Sequence, residues 1–190
     1  MAMTHVKRAN AFWAEMSTCE HFVQIYESEE VFMDILASFV SEALKEDHAA
    51  VVIATPAHRQ ELNKRLTESG HDLAAFRLQD QLICLDAEEM PRKFMANGRA
   101  DDGLFFQLVA DILARATKNG RKARAFGEMV TVMWANGFYG AAVRLEHLWQ
   151  RLCAENSFTL FCAYPKIGFA ENGDEAIAHI CAAHSKILAA

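Results

Sequence analysis

Two apolar runs separated by a helical segment constrain the fold of this chain more than any other feature. The first run, residues 124–130, contains Gly127 and Glu128, and the second, Phe158–Pro165, ends in Tyr164 and a proline. About two dozen residues with helical periodicity separate the runs, as in a βαβ unit. Because parallel sheets bind ligands outside the carboxyl ends of their strands, the pattern predicts Glu128 and Tyr164 at one edge of a sheet.

Glu128 admits two interpretations from the sequence. A carboxylate at the end of an apolar strand is costly to bury without partners, which favours a functional role. Alternatively, Glu128 belongs to the first turn of the next helix, where the helix dipole stabilises a negative charge. The sequence leaves both interpretations open.

Three further runs predict three more strands, over His21–Tyr26, Ala49–Thr55 and Leu82–Asp86. Amphipathic helical patterns follow the first two of them, with Ser28 as an N-cap before one helix and Pro56 in the first turn of another. Strands that alternate with helices favour a mostly parallel sheet covered on both faces. We therefore expect an α/β fold, a three-layer sandwich with a central sheet of about five strands.

The chain of 190 residues suits one domain. We expect residues 1–20 to form an N-terminal extension, with a short helix over Ala9–Glu20, and residues 21–190 to form a single α/β domain. A final helix is predicted after Pro165, and its inward-facing residues are Ile177, Ile180, Cys181, Ile187 and Leu188.

Charge and composition exclude several classes of partner. A formal charge of −6 argues against a large nucleic-acid-binding surface. No apolar run reaches the roughly 18 residues that a membrane span needs, and the N-terminus lacks the apolar segment of a signal peptide. The five cysteines are odd in number and form no Cys-x-x-Cys pair, which indicates reduced thiols. We expect a cytoplasmic protein with no nucleic-acid or membrane partner.

Nucleotide-binding motifs are missing from the sequence. The turn after the first predicted strand contains Glu27, Glu29 and Glu30 where a phosphate-binding loop needs glycines and a lysine. Three carboxylates would repel phosphate, and no Gly-x-Gly-x-x-Gly occurs. We therefore expect no NTPase or dinucleotide enzyme, and no cofactor.

Metal and nucleophile patterns are weak. His179, Cys181 and His184 lie close together, but Cys181 falls on the apolar face of the predicted helix and no acidic partner accompanies them. Cys84 and Cys162 lie inside predicted strands, which are poor places for nucleophiles. We expect no metal site and assign no catalytic residue.

Two other features have a structural and a functional interpretation. His58 follows the second predicted strand, and a solvated histidine in the first helical turn is favoured over a functional one. An aromatic group could line a pocket, although aromatic residues at helical spacing belong more often to the core; its members are Trp134, Phe138, Tyr139 and Trp149.

The chain resembles the MEDS domain, the sensory domain of DcmR-type regulators and of some histidine kinases. The resemblance covers roughly residues 20–185, and its most specific parts are the Gly-Glu-Met-Val and Cys-Ala-Tyr-Pro stretches. The residues that carry it are His21 and Tyr26, Ala54-Thr55 and His58, Phe126–Val130, Trp134-Ala135, Ala141-Ala142, Leu145-Glu146, Leu148-Trp149 and Leu160–Pro165.

The resemblance implies a RecA/KaiC-like fold that has lost its phosphate loop, which agrees with the acidic turn. It also implies a role in bacterial signalling, as a sensor of small molecules proposed to be simple hydrocarbon derivatives. Such domains usually stand beside a kinase or DNA-binding module. Because 190 residues leave no room for such a module, we expect this chain either to signal through a separate signalling protein or to be a fragment of a longer protein.

The favoured hypothesis is a non-enzymatic module that binds a small organic ligand at the carboxyl rim of its sheet. The predicted ligand-binding residues are Glu128, Tyr164, Tyr26, His58, His21 and Thr55, and the first four are expected to converge on one pocket. The alternative is a protein-interaction regulator that docks a histidine kinase or transcriptional regulator without a metabolite. An enzyme with Glu128 as general base is the least favoured possibility.

Overall fold

The structure is a computed structural model, and it describes residues 20–96, 98–167, 182 and 184–188. The helix predicted over Ala9–Glu20 and most of the helix predicted after Pro165 lie outside the described residues.

One parallel sheet of six strands forms the centre of the domain. The five strands predicted from the sequence are all present. The strands are β1 (His21–Tyr26), β2 (Ala49–Ala54), β3 (Leu82–Asp86), β6 (Ala123–Gly127), β7 (Phe158–Pro165) and β8 (Lys186–Leu188). Their order across the sheet is β3-β2-β6-β7-β1-β8. A separate antiparallel hairpin consists of β4 (Met95–Ala96) and β5 (Arg99–Ala100).

Helices connect the strands. They are α1 (Glu29–Lys45), α2 (Pro56–Glu68), α3 (Leu73–Leu78), α4 (Asp102–Ala116), α5 (Met129–Ala135) and α6 (Tyr139–Glu155). Short 3-10 turns occupy Met90–Lys93 and Lys118–Gly120.

Local sequence signals account for where the helices begin and end. Ser28 accepts a hydrogen bond from the Val31 N–H at 3.4 Å, and Thr55 caps α2 in the same way. Between α5 and α6, Gly137 adopts a φ of 80°, a left-handed conformation that glycine accepts without steric cost. This break was predicted at Asn136-Gly137.

The pleat of the strands divides the core into two layers. Side chains such as Val52 and Phe126 pack on one face with α1, α2 and α3. Their sequence neighbours, such as Ile53 and Ala125, pack on the other face with α4, α5 and α6. The predicted three-layer α/β architecture is therefore confirmed, and both faces of the sheet are buried.

The helix predicted after Pro165 is wrong at its C-terminal end. Ile187 and Leu188 were assigned inward-facing positions on a final helix, but Lys186–Leu188 forms β8, which pairs with β1. The Ile187 side chain is 56% exposed. An apolar segment this short cannot be assigned to helix or strand from periodicity alone, which explains the error.

Candidate functional site

The Glu128 carboxylate crosses from the end of β6 to the end of the adjacent strand β2. The Glu128 N–H donates to the Ile53 carbonyl at 2.9 Å, which continues the sheet by one bond. Its Oε2 then accepts a hydrogen bond from the Thr55 N–H at 2.8 Å. Glu128 is only 5% exposed, so this donor and a second partner offset the cost of burying its charge.

His58 is that second partner, and it connects two carboxylates. Its Nδ1 lies 2.7 Å from Oε1 of Glu128, and its Nε2 contacts Oε1 of Glu29 at the start of α1. The edge of its ring faces Phe32, with ring centroids 5.2 Å apart. The His58 side chain is 18% exposed, so the expectation of a solvated histidine is wrong.

The two carboxylates determine the protonation of His58. Burial by itself lowers the pKa of His58, but its contact with Glu128, the Glu128 charge and then Glu29 outweigh burial and raise the pKa above its ordinary value. The protonated ring carries a proton on both nitrogens, so each nitrogen can donate to one carboxylate.

Tyr26, at the end of β1, completes the group. Its ring stacks on Phe32 with centroids 4.6 Å apart, and its hydroxyl is hydrogen-bonded to Glu29. Burial raises the pKa of Tyr26, and the charges of Glu29 and Glu128 raise it further. We call Tyr26, Glu29, His58 and Glu128 the rim cluster. It joins a buried carboxylate to one that is 57% exposed.

Tyr164 does not join the rim cluster, which corrects the expected convergence of four side chains. Tyr164 is 1% exposed and packs in the layer with α4, α5 and α6, whereas Tyr26 packs in the opposite layer. Ile25 is the residue paired with Tyr164, so the pleat directs Tyr164 and Tyr26 to different faces. A role of Tyr164 in ligand binding stays a prediction that its position does not favour.

His21 is also separated from the rim cluster. It begins β1, five residues before Tyr26, and its Nε2 lies 3.3 Å from Sγ of Cys162 on β7. Thr55, in contrast, contacts Glu128 directly. The structure therefore brings together four of the six predicted residues, namely Glu128, His58, Tyr26 and Thr55.

A cavity of about 540 Å³ opens at the same rim. Its wall includes Val132 of α5, whose N–H donates to the Glu128 carbonyl at 3.1 Å, so Glu128 and this wall are one helical turn apart. Its lining residues are Glu88, Pro91, Arg92, Met95, Gly98, Val132, Met133, Asn136 and Phe138. A second cavity of about 590 Å³ shares Gly98 and Phe138 with it.

The aromatic group predicted from the sequence divides between pocket and core. Phe138 lines both cavities and is 52% exposed. Tyr139 lines the second cavity, and its ring lies 4.9 Å from that of Trp134. Trp149 is 2% exposed and belongs to the core. Both interpretations therefore hold, each for different members of the group.

Sequence reasoning missed the role of Glu29, which it counted only as a charge unfavourable to phosphate. Glu29 is the first residue of α1 and reaches His58, the third residue of α2. These two helices follow strands that are not neighbours in the sheet. The signal in the sequence was a pair of polar residues in the first turns of two helices, and only the packing of the helices connects them.

The fold and the rim cluster define the class of protein. It is a parallel α/β domain that groups polar side chains at the carboxyl ends of its strands. The sequence profile of MEDS, the methanogen/methylotroph DcmR sensory domain, matches residues 20–185. This chain belongs to the MEDS family. No match was found among functionally curated proteins.

A solved structure shares the fold. It is the crystal structure of the uncharacterized protein PH0321 from Pyrococcus horikoshii in complex with an unknown peptide. The TM-score is 0.70 at 11% sequence identity, and the likeness covers 95% of this chain and 81% of that one. At this identity the likeness establishes the fold alone. Among the residues described here, no helix is long and apolar enough to cross a membrane.

Proposed function

We propose that this domain is a non-enzymatic cytoplasmic sensory module that binds a small organic ligand at the carboxyl rim of its sheet. The observation that carries the proposal is the cavity of about 540 Å³ against α5, the helix that begins directly after Glu128. Small-molecule sites typically measure about 300–1,000 Å³ and combine apolar walls with a few fixed polar groups. Membership of a sensory-domain family supports the same role.

The lining of the cavity indicates the chemistry of the ligand. Met95, Val132, Met133 and Phe138 supply apolar surface, and Arg92 is among the few charged groups. Such a lining favours a short hydrocarbon chain that bears one polar substituent. The methionine side chains are flexible and adapt to apolar ligands of different shape.

The rim cluster gives ligand binding a route to the rest of the domain. Glu128 immediately precedes α5, which supplies Val132 and Met133 to the cavity wall. Its carboxylate contacts Thr55 and His58 at the start of α2. A ligand that displaces α5 would therefore change contacts at the first turns of α1 and α2, and this chain of contacts is the physical basis of the proposed response.

Ligand-observed NMR with a panel of small alcohols, amines and alkyl halides tests the proposal. We expect at least one class to bind the wild-type domain and to bind Phe138→Ala much more weakly. Leu78→Ala is the matched control, because Leu78 is an apolar side chain that is 88% exposed and lies outside the cavity lining. Absence of binding across the panel, or equal binding by Phe138→Ala, would contradict the proposal.

A second candidate function is docking of a signalling protein, as a protein-interaction regulator. The start of α6 exposes Tyr139 by 48% and Val143 by 44%, next to the cavity of about 590 Å³. The similar structure from Pyrococcus horikoshii holds an unknown peptide. Peptide display against the purified domain tests this candidate. Peptides that bind the wild type but not Tyr139→Ala would favour it, because Tyr139 is not part of the proposed ligand cavity.

A further inference from the structure

Four side chains of metal-binding type meet inside the domain, on the face of the sheet opposite the α1–α3 layer. They come from β1, α6, β7 and the segment just before β8, and are His21, Glu146, Cys162 and His184. One ligand atom from each lies within 4.8 Å of the others, and all four residues are buried. We call them the His/Cys/Glu cluster.

Individual contacts within the cluster are close. Nε2 of His21 lies 3.3 Å from Sγ of Cys162, and the rings of His21 and His184 are 3.9 Å apart between centroids. Nε2 of His184 lies 3.9 Å from Oε2 of Glu146. The four side chains therefore surround one small volume.

A bound cation would stabilise Glu146 more than any other member of the cluster. It is 5% exposed, and neither carboxylate oxygen has a hydrogen-bond partner among the residues that the structure describes. Glu128 is equally buried but contacts both Thr55 and His58. A buried carboxylate without such partners is costly, and a bound metal ion would remove that cost.

We propose that His21, Glu146, Cys162 and His184 bind a zinc ion. Imidazole nitrogen, thiolate and carboxylate are the ligand types of zinc, and four protein ligands make a closed, tetrahedral structural site. Magnesium and calcium prefer sets of oxygen ligands, so the thiolate and two imidazoles disfavour both ions. Zinc–ligand bonds of about 2.0–2.3 Å require the four side chains to draw closer together around the ion.

The proposed zinc would join the last strand of the sheet to the core. β8 has three residues and pairs only with β1 among the strands described. Just before it, the Ser185 N–H donates to the His21 carbonyl at 2.8 Å, and His184 precedes Ser185. A metal ion shared by His184, α6 and β7 would fix this short edge strand far more firmly than its few backbone bonds do.

The ion has an entry route. His21 and His184 also line a cavity of about 300 Å³. Gln150, Cys153 and Ser185 contribute to the same cavity. A plausible site needs the right ligands and a path for the ion, and this cavity supplies the path.

Zinc binding to the full chain after chelator treatment tests the proposal, by equilibrium dialysis with zinc alone. We expect one tight equivalent in the wild type. Cys162→Ser and Glu146→Gln should each lose more than the roughly 10–100-fold in affinity that removal of an outer-shell partner costs. Cys84→Ser is the matched control, because Cys84 is a free thiol on β3 outside the cluster. Less than one equivalent, or unchanged affinity in both cluster variants, would overturn the proposal.

Two further measurements keep the test decisive if Cys162→Ser fails to fold. Glu146→Gln removes the buried ionisable group with little change in shape, so the metal-free variant should fold at least as well as the wild type while losing zinc. Cobalt(II) as a substitute should give a thiolate charge-transfer band in the wild type and in Cys84→Ser. Absence of that band in the wild type would exclude Cys162 as a ligand. The cluster lies on the other face of the sheet from His58, so either result is independent of the proposed sensory function.

Discussion

Oε1 of Glu128 lies 2.7 Å from Nδ1 of His58, and this contact joins the end of β6 to the first turn of α2. The other oxygen of Glu128 accepts the Thr55 N–H, so one carboxylate satisfies two groups at the rim. Glu29 contacts the far nitrogen of His58. A single histidine thus connects the buried interior of the rim to its exposed edge.

The first prediction concerns Glu128 and stability. Glu128→Ala leaves the Thr55 N–H and the Nδ1 of His58 without their acceptor, and we expect it to lower the free energy of unfolding by about 3 kcal/mol. Glu128→Gln keeps an acceptor for Thr55 and should lower the free energy of unfolding by less than half as much. Urea melts provide the measurement. The control is Glu61→Ala, which breaks the partly exposed pair with Arg65 and should cost below about 1 kcal/mol. Equal losses for the two alanine variants would contradict the prediction.

The second prediction concerns the pH dependence of stability through His58. Its pKa is raised in the folded protein, so protonation favours folding. The stabilisation is complete below the unfolded pKa of about 6.5 and disappears as the pH rises through the folded pKa. The difference in unfolding free energy between the wild type and His58→Gln should therefore shrink as the pH rises from about 6.5 through the folded pKa of His58.

An internal control comes from His71. Burial and then the charge of Lys45 lower the pKa of His71. NMR titration of the imidazole signals should place the pKa of His58 above 6.5 and that of His71 below it. In Glu128→Gln, the pKa of His58 should fall because its main stabilising charge is gone. A pKa of His58 at or below that of His71 would contradict the contacts assigned to His58 in the rim cluster.

The strands could be predicted because each is a compact apolar or alternating run, and a parallel sheet between helical layers is the arrangement that buries such runs on both faces. The grouping of Glu128, His58 and Tyr26 followed from the rule that parallel strand ends share one rim. The separation of Tyr164 from Tyr26 depends on which face each side chain points to. That choice depends on the register of β1 against β7, which the sequence alone did not provide.

The His/Cys/Glu cluster could not be predicted for a different reason. Metal motifs are recognisable when their ligands are close in sequence, whereas His21 and Cys162 are separated by 141 positions. His184 was considered with its neighbours His179 and Cys181, on a helix assumed to continue to the end of the chain. Because β8 follows His184 instead, this histidine lies beside β1 and faces Glu146.

The third prediction concerns the core beneath α6. Trp149 is 2% exposed, and its ring meets that of Phe105 edge-on at 5.1 Å. Trp149→Ala should lower the free energy of unfolding by roughly 3–5 kcal/mol, as truncation of a large aromatic core residue does. Phe138→Ala serves as the control, because Phe138 is 52% exposed and should cost below about 1 kcal/mol. A loss below about 1 kcal/mol for Trp149→Ala would mean that this face of α6 is not packed in solution.

The fourth prediction concerns nucleotides. Phosphate would bind at the start of α1, but Glu29 and Glu30 occupy its first turn and the Ser28 hydroxyl already caps the Val31 N–H. We therefore expect no binding of Mg-ATP in the micromolar range by calorimetry, and no hydrolysis. Tight binding with measurable turnover would show that this acidic turn rearranges to accept phosphate.

The last prediction compares two glycines near the site. Gly127 directly precedes Glu128, yet a Cβ added there would meet Trp149 at 3.7 Å, an ordinary van der Waals contact. Its φ is not in the left-handed region, so Gly127→Ala should change the free energy of unfolding by less than about 1 kcal/mol. Gly137 has a φ of 80°, where a side chain costs about 1–2 kcal/mol, and Gly137→Ala should destabilise by that amount. Urea melts of both variants decide the matter. A larger loss of unfolding free energy for Gly127→Ala than for Gly137→Ala would show that the strand end before Glu128 has no room for a methyl group beside Trp149.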